Sequence, residues 1–149
     1  METLVGSNQN GSAQPEGLIK DSSDTEFVAD VIEASKEIPI IVDFWAPWCG
    51  PCKQLGPTLE KVVSEAAGAV KLVKIDIDQN PQIAQQLRVQ SIPAVYAFYQ
   101  GRPVDGFQGA LPESQLKEFV KKLTDAAGST QTSPIDEALE QAKALIEAG

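Results

Sequence analysis

The chain has 149 residues, enough for one domain with a hydrophobic core plus extensions, and it carries 21 acidic and 12 basic side chains for a formal net charge of −9. This acidic balance argues against binding to nucleic-acid phosphates or to anionic membrane surfaces. The chain contains no histidine, which excludes a Cys–His or Ser–His nucleophile pair and histidine-ligated zinc within it.

The first 17 residues are rich in glycine, serine, asparagine and glutamine and contain no basic residue. This composition predicts a disordered tail over 1–17 rather than a signal peptide, which needs a basic region before an apolar one. No run of apolar residues long enough to cross a membrane follows. We therefore expect a cytoplasmic protein, and in that reducing compartment a lone cysteine pair is more often catalytic than structural.

From residue 18 onwards, apolar spacing and turn residues predict alternating strands and helices. In chain order these are a strand at 18–20, a helix at 25–36, a strand at 40–45, a helix at 51–67, a strand at 70–77, a helix at 81–87, hairpin strands at 94–99 and 104–108, and a helix at 112–126. Ser23 and Glu26 have the spacing of a capping box before the first helix. Pro51 suits the first position of the second helix, in which Pro57 should introduce a kink. Parallel crossovers followed by a terminal hairpin predict an α/β fold with a central mixed sheet and helices on both faces.

The end of the chain differs in composition from the domain predicted over 18–127. Glycine, serine and threonine residues at 128–133 predict a linker, and Pro134 then begins a predicted amphipathic helix over 134–149. Its apolar stripe comprises Ile135, Ala138, Leu139, Ala142, Leu145 and Ile146. One helix cannot bury such a stripe alone, so we expect it to dock on the domain, on another chain or on a partner helix.

The two cysteines of the chain, Cys49 and Cys52, lie where the predicted strand at 40–45 gives way to a helix. A Cys-x-x-Cys at such a junction is typical of a redox dithiol. The free N–H groups and the positive dipole end of the helix stabilise a thiolate, which lowers the pKa of the first cysteine and makes it nucleophilic. The alternatives are a metal cluster shared between two chains, since two cysteines cannot complete a tetrahedral site, and a pair of inert buried cysteines.

Asp43 is a carboxylate within the apolar strand. Burial should raise its pKa and allow it to accept a proton. The alternative is a structural aspartate whose oxygens accept hydrogen bonds from backbone N–H groups. Lys74, on the neighbouring predicted strand, would by its sequence alone be expected to face solvent.

Five motifs, in order over about 18–126, resemble those of the thioredoxins. They are VDFWA at 42–46, WCGPCK at 48–53, IDQNP at 77–81, SIP at 91–93 and GA at 109–110. The resemblance implies the thioredoxin fold and a thiol–disulfide oxidoreductase that reduces protein disulfides. The linker and the alanine-rich helix further resemble bacterial co-chaperones that fuse a thioredoxin domain to tetratricopeptide-like helices (YbbN-like proteins, or chaperedoxins). In that case this chain is truncated after the first of those helices.

The resemblance also implies a role for each residue of the site. Cys49, at the exposed N-terminus of the helix, is expected to attack a substrate disulfide, and Cys52 is expected to resolve the mixed disulfide. Asp43 would accept the proton of Cys52, and Lys74 would pair with Asp43 and tune its pKa.

Substrate contact is expected around Ile92-Pro93, which matches the cis-proline site of the family, with the backbone before the proline pairing with a substrate strand. The residues expected to bind substrate, here called the contact patch, are Trp48, Gly50, Pro51, Ile92, Pro93 and Gly109. All of them except Gly50 are expected to form a flat apolar surface around Cys49.

The partners implied by the resemblance are proteins with disulfides, unfolded clients, an NADPH-dependent thioredoxin reductase and a chaperonin, with no nucleic acid and no membrane. No cofactor or metal is expected beyond the redox-active Cys49–Cys52 disulfide. The alternative function is that of a redox-active co-chaperone, which holds unfolded clients and protects their cysteines by mixed disulfides.

Overall fold

The computed structural model describes residues 18–132, with side chains up to residue 128. The predicted tail at 1–17 and the predicted helix at 134–149 lie outside the described residues. The elements in chain order are β1 (Ile19–Asp21), a π-helical segment (Val28–Glu33) continued by a 3₁₀ turn (Ala34–Lys36), β2 (Ile40–Trp45), α1 (Gly50–Glu65), β3 (Lys71–Asp76), α2 (Pro81–Gln86), β4 (Ala94–Tyr99), β5 (Arg102–Gln108) and α3 (Glu113–Thr132).

A five-stranded mixed sheet in the order β1-β3-β2-β4-β5 forms the centre of the fold. β1 and β2 run parallel to β3, whereas β2 pairs with β4, and β4 with β5, in antiparallel fashion. The predicted α/β class and mixed sheet are thereby confirmed. Since β2 is the central strand, the loop that follows its carboxyl end lies at the middle of one end of the sheet.

β2 is buried because five of its six residues are apolar and helical layers cover both of its faces. On one face, α1 and α3 contribute to a core that includes Ile41, Leu55, Leu59, Leu72, Val95, Leu116 and Val120. On the other face, the helical segment at 28–36 and α2 contribute to a core that includes Val31, Val42, Phe44, Val73, Ala84 and Phe98. Asp43 is the single polar residue of this central strand.

The first predicted helix forms, but with π and 3₁₀ hydrogen bonding in place of a regular α-helix. Half of the predicted capping box is present, because the Glu26 N–H donates to Ser23 Oγ at 3.2 Å. Near the end of the segment, the Oγ of buried Ser35 accepts from the Gly101 N–H at 2.9 Å and links the segment to the β4–β5 turn. Apolar spacing predicts that a helix is present but does not distinguish among the hydrogen-bond patterns that a short helix can adopt.

The other helix boundaries lie close to the predicted ones, with one difference. Pro51 occupies the first turn of α1, and Pro57 lies in its interior. α3 continues to Thr132 and so runs through most of the segment that composition predicts as a linker. Ala127 is buried, so packing supports the helix beyond its predicted end at 126.

None of the helices in the described part of the chain is both long and apolar enough to cross a membrane.

Candidate active site

The two cysteines lie directly beyond the carboxyl end of β2, where the chain enters α1. Cys49 is the N-cap of α1, with φ −90° and ψ 109°, and Cys52 lies in the first helical turn. The two form a disulfide, with their Cα atoms 5.3 Å apart. Cys49 Sγ also accepts a hydrogen bond from the Cys52 N–H at 3.2 Å. The sulfur of Cys49 therefore lies at the positive end of the helix, among N–H groups that stabilise negative charge on it.

Exposure does not distinguish the two cysteines, contrary to the expectation that Cys49 is the exposed one. Cys49 is 4% exposed and Cys52 is 5% exposed, because both pack with Ala46 in a small apolar cluster. Position still distinguishes them, since only Cys49 is the helix cap. The position of Cys49 at the positive end of the helix, and not a greater exposure to solvent, therefore favours it as the attacking residue.

Asp43 lies in β2, six residues before Cys49, and is only 1% exposed. Its Oδ1 atom is buried and accepts no hydrogen bond from the described residues. Burial raises the pKa of Asp43 to about 6, with the positive charge of Lys74 opposing the rise and the negative charge of Glu60 adding to it. The alternative of a structural aspartate, with its oxygens accepting hydrogen bonds from backbone N–H groups, is not met at Oδ1. The structure agrees with the predicted direction of the pKa change.

A cavity of about 240 Å³ is lined by both Asp43 and Cys52. We call it the acid cavity, and its lining consists of Asp43, Trp45, Cys52, Lys53, Gly56, Pro57, Glu60 and Lys74. A volume of this size, lined by polar groups, is large enough for water molecules.

Lys74 lies beside Asp43 in the sheet, but its ammonium group is bonded elsewhere. Asp43 and Lys74 are register partners on the parallel strands β2 and β3. Lys74 Nζ forms an ion pair with Glu60 Oε2 at 2.8 Å and lies 5.5 Å from the centre of the Trp45 ring. The predicted pairing of Lys74 with Asp43 is therefore not a direct ion pair. Lys74 is also part-buried rather than solvent-facing.

The loop before β4 brings Ile92 against the cysteines. The Ile92-Pro93 peptide bond is cis, and half-buried Ile92 packs against the cluster of Ala46, Cys49 and Cys52. The Pro93 carbonyl accepts from the Gly109 N–H at 2.9 Å. Gly109 has φ +89°, a conformation that favours glycine.

The contact patch is only partly a surface. Trp48 is 67% exposed, Gly50 and Pro51 are exposed, and Ile92 and Gly109 are half-buried. Pro93 is buried, so it shapes the loop from within and contributes little apolar surface. The exposed part of the patch is therefore centred on Trp48 and the first turn of α1.

Two residues of this region were not singled out from the sequence. Asp78 accepts a hydrogen bond from the Trp48 indole N–H, at 3.0 Å to Oδ2, and so holds the exposed ring. Glu60 lies eight residues after Cys52 and binds Lys74. The available signal was the helical period, since positions 52, 56 and 60 lie on one face of α1.

Among the residues that the structure describes, no group of three or more cysteine, aspartate and glutamate side chains could hold a metal ion.

Comparison with known proteins agrees with the geometry. The family model described as Thioredoxin matches residues 19–122, more than half of the chain. Thioredoxin 1 of Nostoc sp. is 38% identical over 100 residues, covering 67% of this chain and 92% of that protein. The thioredoxin of Streptomyces clavuligerus is 43% identical over 100 residues, covering 67% of this chain and 91% of that protein. A bifunctional thioredoxin reductase/thioredoxin of Mycobacterium leprae is 40% identical over 115 residues, or 77% of this chain and 25% of that protein.

Proposed function

We propose, from the premise that the chain belongs to the thioredoxin family, that Cys49, Cys52 and Asp43 act in sequence to reduce disulfide bonds of protein substrates. The chain is a thiol–disulfide oxidoreductase of thioredoxin type. The observation that carries the proposal is the Cys49–Cys52 disulfide at the start of α1, with the buried Asp43 lining the same cavity as Cys52.

In the first step, the Cys49 thiolate attacks one sulfur of a substrate disulfide. A bond forms between Cys49 and that sulfur, the substrate disulfide breaks, and the other substrate sulfur leaves as a thiolate that takes a proton from water. The helix N-terminus stabilises the attacking thiolate, and the Cys52 N–H donates to Cys49 Sγ. The two electrons that reduce the substrate come from the dithiol.

In the second step, Cys52 resolves the mixed disulfide. Its thiol gives a proton to the Asp43 carboxylate through the acid cavity, and the resulting thiolate attacks Cys49 Sγ. The Cys49–Cys52 disulfide forms, the bond to the substrate breaks, and the substrate sulfur leaves as a thiolate that takes a proton from water. A carboxyl with a pKa of about 6 suits proton exchange near neutral pH.

The contact patch is proposed to receive the substrate. Exposed Trp48, Gly50 and Pro51 would contact its side chains, and the backbone of Ile92 would pair with its extended strand. Pro93 and Gly109 would maintain the loop that presents this backbone, since the Pro93 carbonyl accepts from the Gly109 N–H.

We further propose that an NADPH-dependent thioredoxin reductase returns the disulfide to the dithiol and that the protein acts in the cytoplasm without another cofactor. The Mycobacterium leprae relative is named as both thioredoxin reductase and thioredoxin, which supports such a partner. Turnover of a disulfide-bonded test protein with NADPH and a thioredoxin reductase tests the proposal. We expect turnover that is lost in Cys49→Ser. Unchanged turnover in that variant would contradict the proposal.

A second candidate function is that of a co-chaperone of the thioredoxin–tetratricopeptide type, with unfolded clients and a chaperonin as partners. It is favoured by the continuation of α3 to Thr132, close to the apolar stripe that the sequence predicts over 134–149. The test is suppression of aggregation of a heat-unfolded client by the whole chain and by a chain ending at residue 128. We expect protection by the whole chain only, and no protection by either would contradict it.

A further inference from the structure

Glu60 lies on the face of α1 that also carries the resolving cysteine. Cys52, Gly56 and Glu60 follow one another at intervals of four residues and therefore form one line along the helix. All three line the acid cavity together with Asp43. Glu60 is thus a charged side chain of the proposed proton route.

The carboxylate of Glu60 fixes the position of the Lys74 ammonium. The two groups are 2.8 Å apart, and both side chains are part-buried. Lys74 Nζ also lies over Gly56, where an added Cβ would be 3.9 Å from it, and beside the Trp45 ring. The ammonium is therefore held between α1 and Trp45.

The Lys74 ammonium does not form an ion pair with Asp43, the buried acid beside it in the sheet. Register partners on neighbouring strands project to the same face of the sheet, so Asp43 and Lys74 share one face. Nevertheless, Lys74 Nζ bonds to Glu60, and Asp43 Oδ1 has no hydrogen-bond partner among the described residues. The charged groups beside Asp43 in the cavity are Lys53 and Glu60 from α1 and Lys74 from β3, whereas β4 contributes none among the described residues.

We propose that Glu60 is a positioning residue, which holds the Lys74 ammonium away from the Asp43 carboxyl and thereby keeps Asp43 able to take the proton of Cys52. The inference rests on the proposed role of Asp43 in the resolving step. A direct ion pair with Lys74 would stabilise the charged carboxylate and make it a weaker base. Glu60 opposes this in two ways, because it binds the lysine and places a negative charge near Asp43.

The first test is the titration of the Asp43 carboxyl, followed by carbon-13 NMR in the oxidised protein, where the cysteines do not titrate. In Glu60→Gln we expect the Asp43 midpoint to fall by roughly half a pH unit or more, because one like charge is removed and the ammonium is released. Glu113→Gln is the matched control, since Glu113 forms an ion pair with Lys61 at 3.0 Å outside the cavity. An unchanged or raised midpoint in Glu60→Gln would overturn the proposal.

The second test separates holding of the lysine from the charge of Glu60 itself. Lys74→Met should raise the Asp43 midpoint more in the Glu60→Gln background than in the unmodified chain, because only the released ammonium can reach Asp43. Equal effects in the two backgrounds would mean that Glu60 acts by its charge alone, and the positioning role would be overturned.

The third test connects the titration to the chemistry. We measure the reduction rate against pH at saturating protein disulfide. The low-pH limb of this profile should shift to lower pH in Glu60→Gln, together with the NMR midpoint, and it should disappear in Asp43→Asn. A moved midpoint with an unmoved limb would contradict the proposed role of Asp43. If the midpoint does not move in Glu60→Gln but the limb still disappears in Asp43→Asn, the proposed role of Glu60 is contradicted and that of Asp43 is not.

Discussion

At the scale of single residues, Asp43 places an ionisable group inside the packed interior of the fold. A carboxylate in a central strand loses hydration that the described residues do not replace at Oδ1. Burial of an ionisable group without a partner is unfavourable for its charged form, and the group responds by a raised pKa. The residue that would serve the reaction therefore lowers the stability of the fold near neutral pH.

The burial of Asp43 should affect how the free energy of unfolding depends on pH. The pKa of Asp43 is about 6 in the folded state, against 3.8 for an ordinary aspartate, so the folded state holds the proton more tightly. The contribution of Asp43 to the free energy of unfolding should therefore decrease as the pH rises from about 3.8 to about 6 and stay level above that range. Asp43→Asn should remove the decrease and raise the free energy of unfolding at pH 7 by about 3 kcal/mol.

Urea unfolding at pH 7 and at pH 3.5 measures this effect. The two proteins should differ at pH 7 and have nearly equal free energies of unfolding at pH 3.5, where Asp43 is protonated in the folded state and mostly protonated in the unfolded state. Asp125→Asn removes an exposed pair with Lys121 and should change the free energy of unfolding by no more than about 0.5 kcal/mol. An Asp43→Asn variant less stable than the parent at pH 7 would contradict a destabilising buried carboxylate.

The hydrogen bond between Trp48 and Asp78 leads to a second prediction at this scale. Its exposed indole is held by the Asp78 carboxylate, and loss of one such hydrogen bond is worth about 0.5–1.5 kcal/mol. Asp78→Ala should lower kcat/KM for a protein disulfide by roughly threefold to tenfold, because the ring no longer has a fixed orientation. Asp105→Ala, on the edge strand β5, is the control and should leave kcat/KM unchanged.

Steady-state reduction of a disulfide-bonded test protein provides the measurement. A kcat/KM for Asp78→Ala equal to that of the unmodified chain would show that the hydrogen bond does not organise the contact patch.

At the scale of elements, the short helix α2 shows what a local pattern cannot predict. Asn80 occupies the N-cap position but makes no side-chain cap bond. Instead the carboxylate of Asp24 accepts from the N–H groups of Gln82 and Ile83, at 3.2 and 3.0 Å. Asn80 Oδ1 in turn accepts from the Asp24 N–H at 3.0 Å. The sequence indicates the helix through its apolar spacing and Pro81, but its cap comes from a distant loop.

This distant cap should matter for stability as a local cap does. Asp24→Ala should lower the free energy of unfolding by about 1–2 kcal/mol, because two N–H groups at the start of α2 lose their acceptor. Asp21→Ala, on the nearby edge strand β1, is the control. Amide exchange at Gln82 and Ile83 should accelerate in Asp24→Ala and not in the control, and unchanged exchange would contradict the cap.

At the same scale, the strands were more predictable than the details of the helices. The strand at 94–99 has the predicted bounds, and that at 40–45 does too, because continuous apolar runs between turn residues specify buried strands. The π-helical form of Val28–Glu33 and the continuation of α3 to Thr132 were not predicted. Val31 and Ala127 of these segments are buried, and a local window of sequence does not contain the elements that bury them.

At the scale of the whole molecule, the mixed sheet determines where chemistry takes place. β2 is central, so Cys49 and Cys52, which follow its carboxyl end, lie at the middle of one end of the sheet. Ile92 packs against them there. The family motifs predicted this assembly, since each had a counterpart of known position. They did not predict that Lys74 binds Glu60 or that Pro93 is buried, because the partner of a long side chain is decided only when helix α1 covers the sheet.

The central claim, that Cys49 attacks and Cys52 resolves, is tested most directly by trapping the intermediate. Cys52→Ser should accumulate a covalent complex with a disulfide-bonded protein, detectable by mass spectrometry as a bond to Cys49 and released by a small thiol reductant. Cys49→Ser should accumulate little or none, because Cys52 lies within the helix and its sulfur is not at the cap. Equal trapping by both variants, or a complex formed only through Cys52, would contradict the assignment.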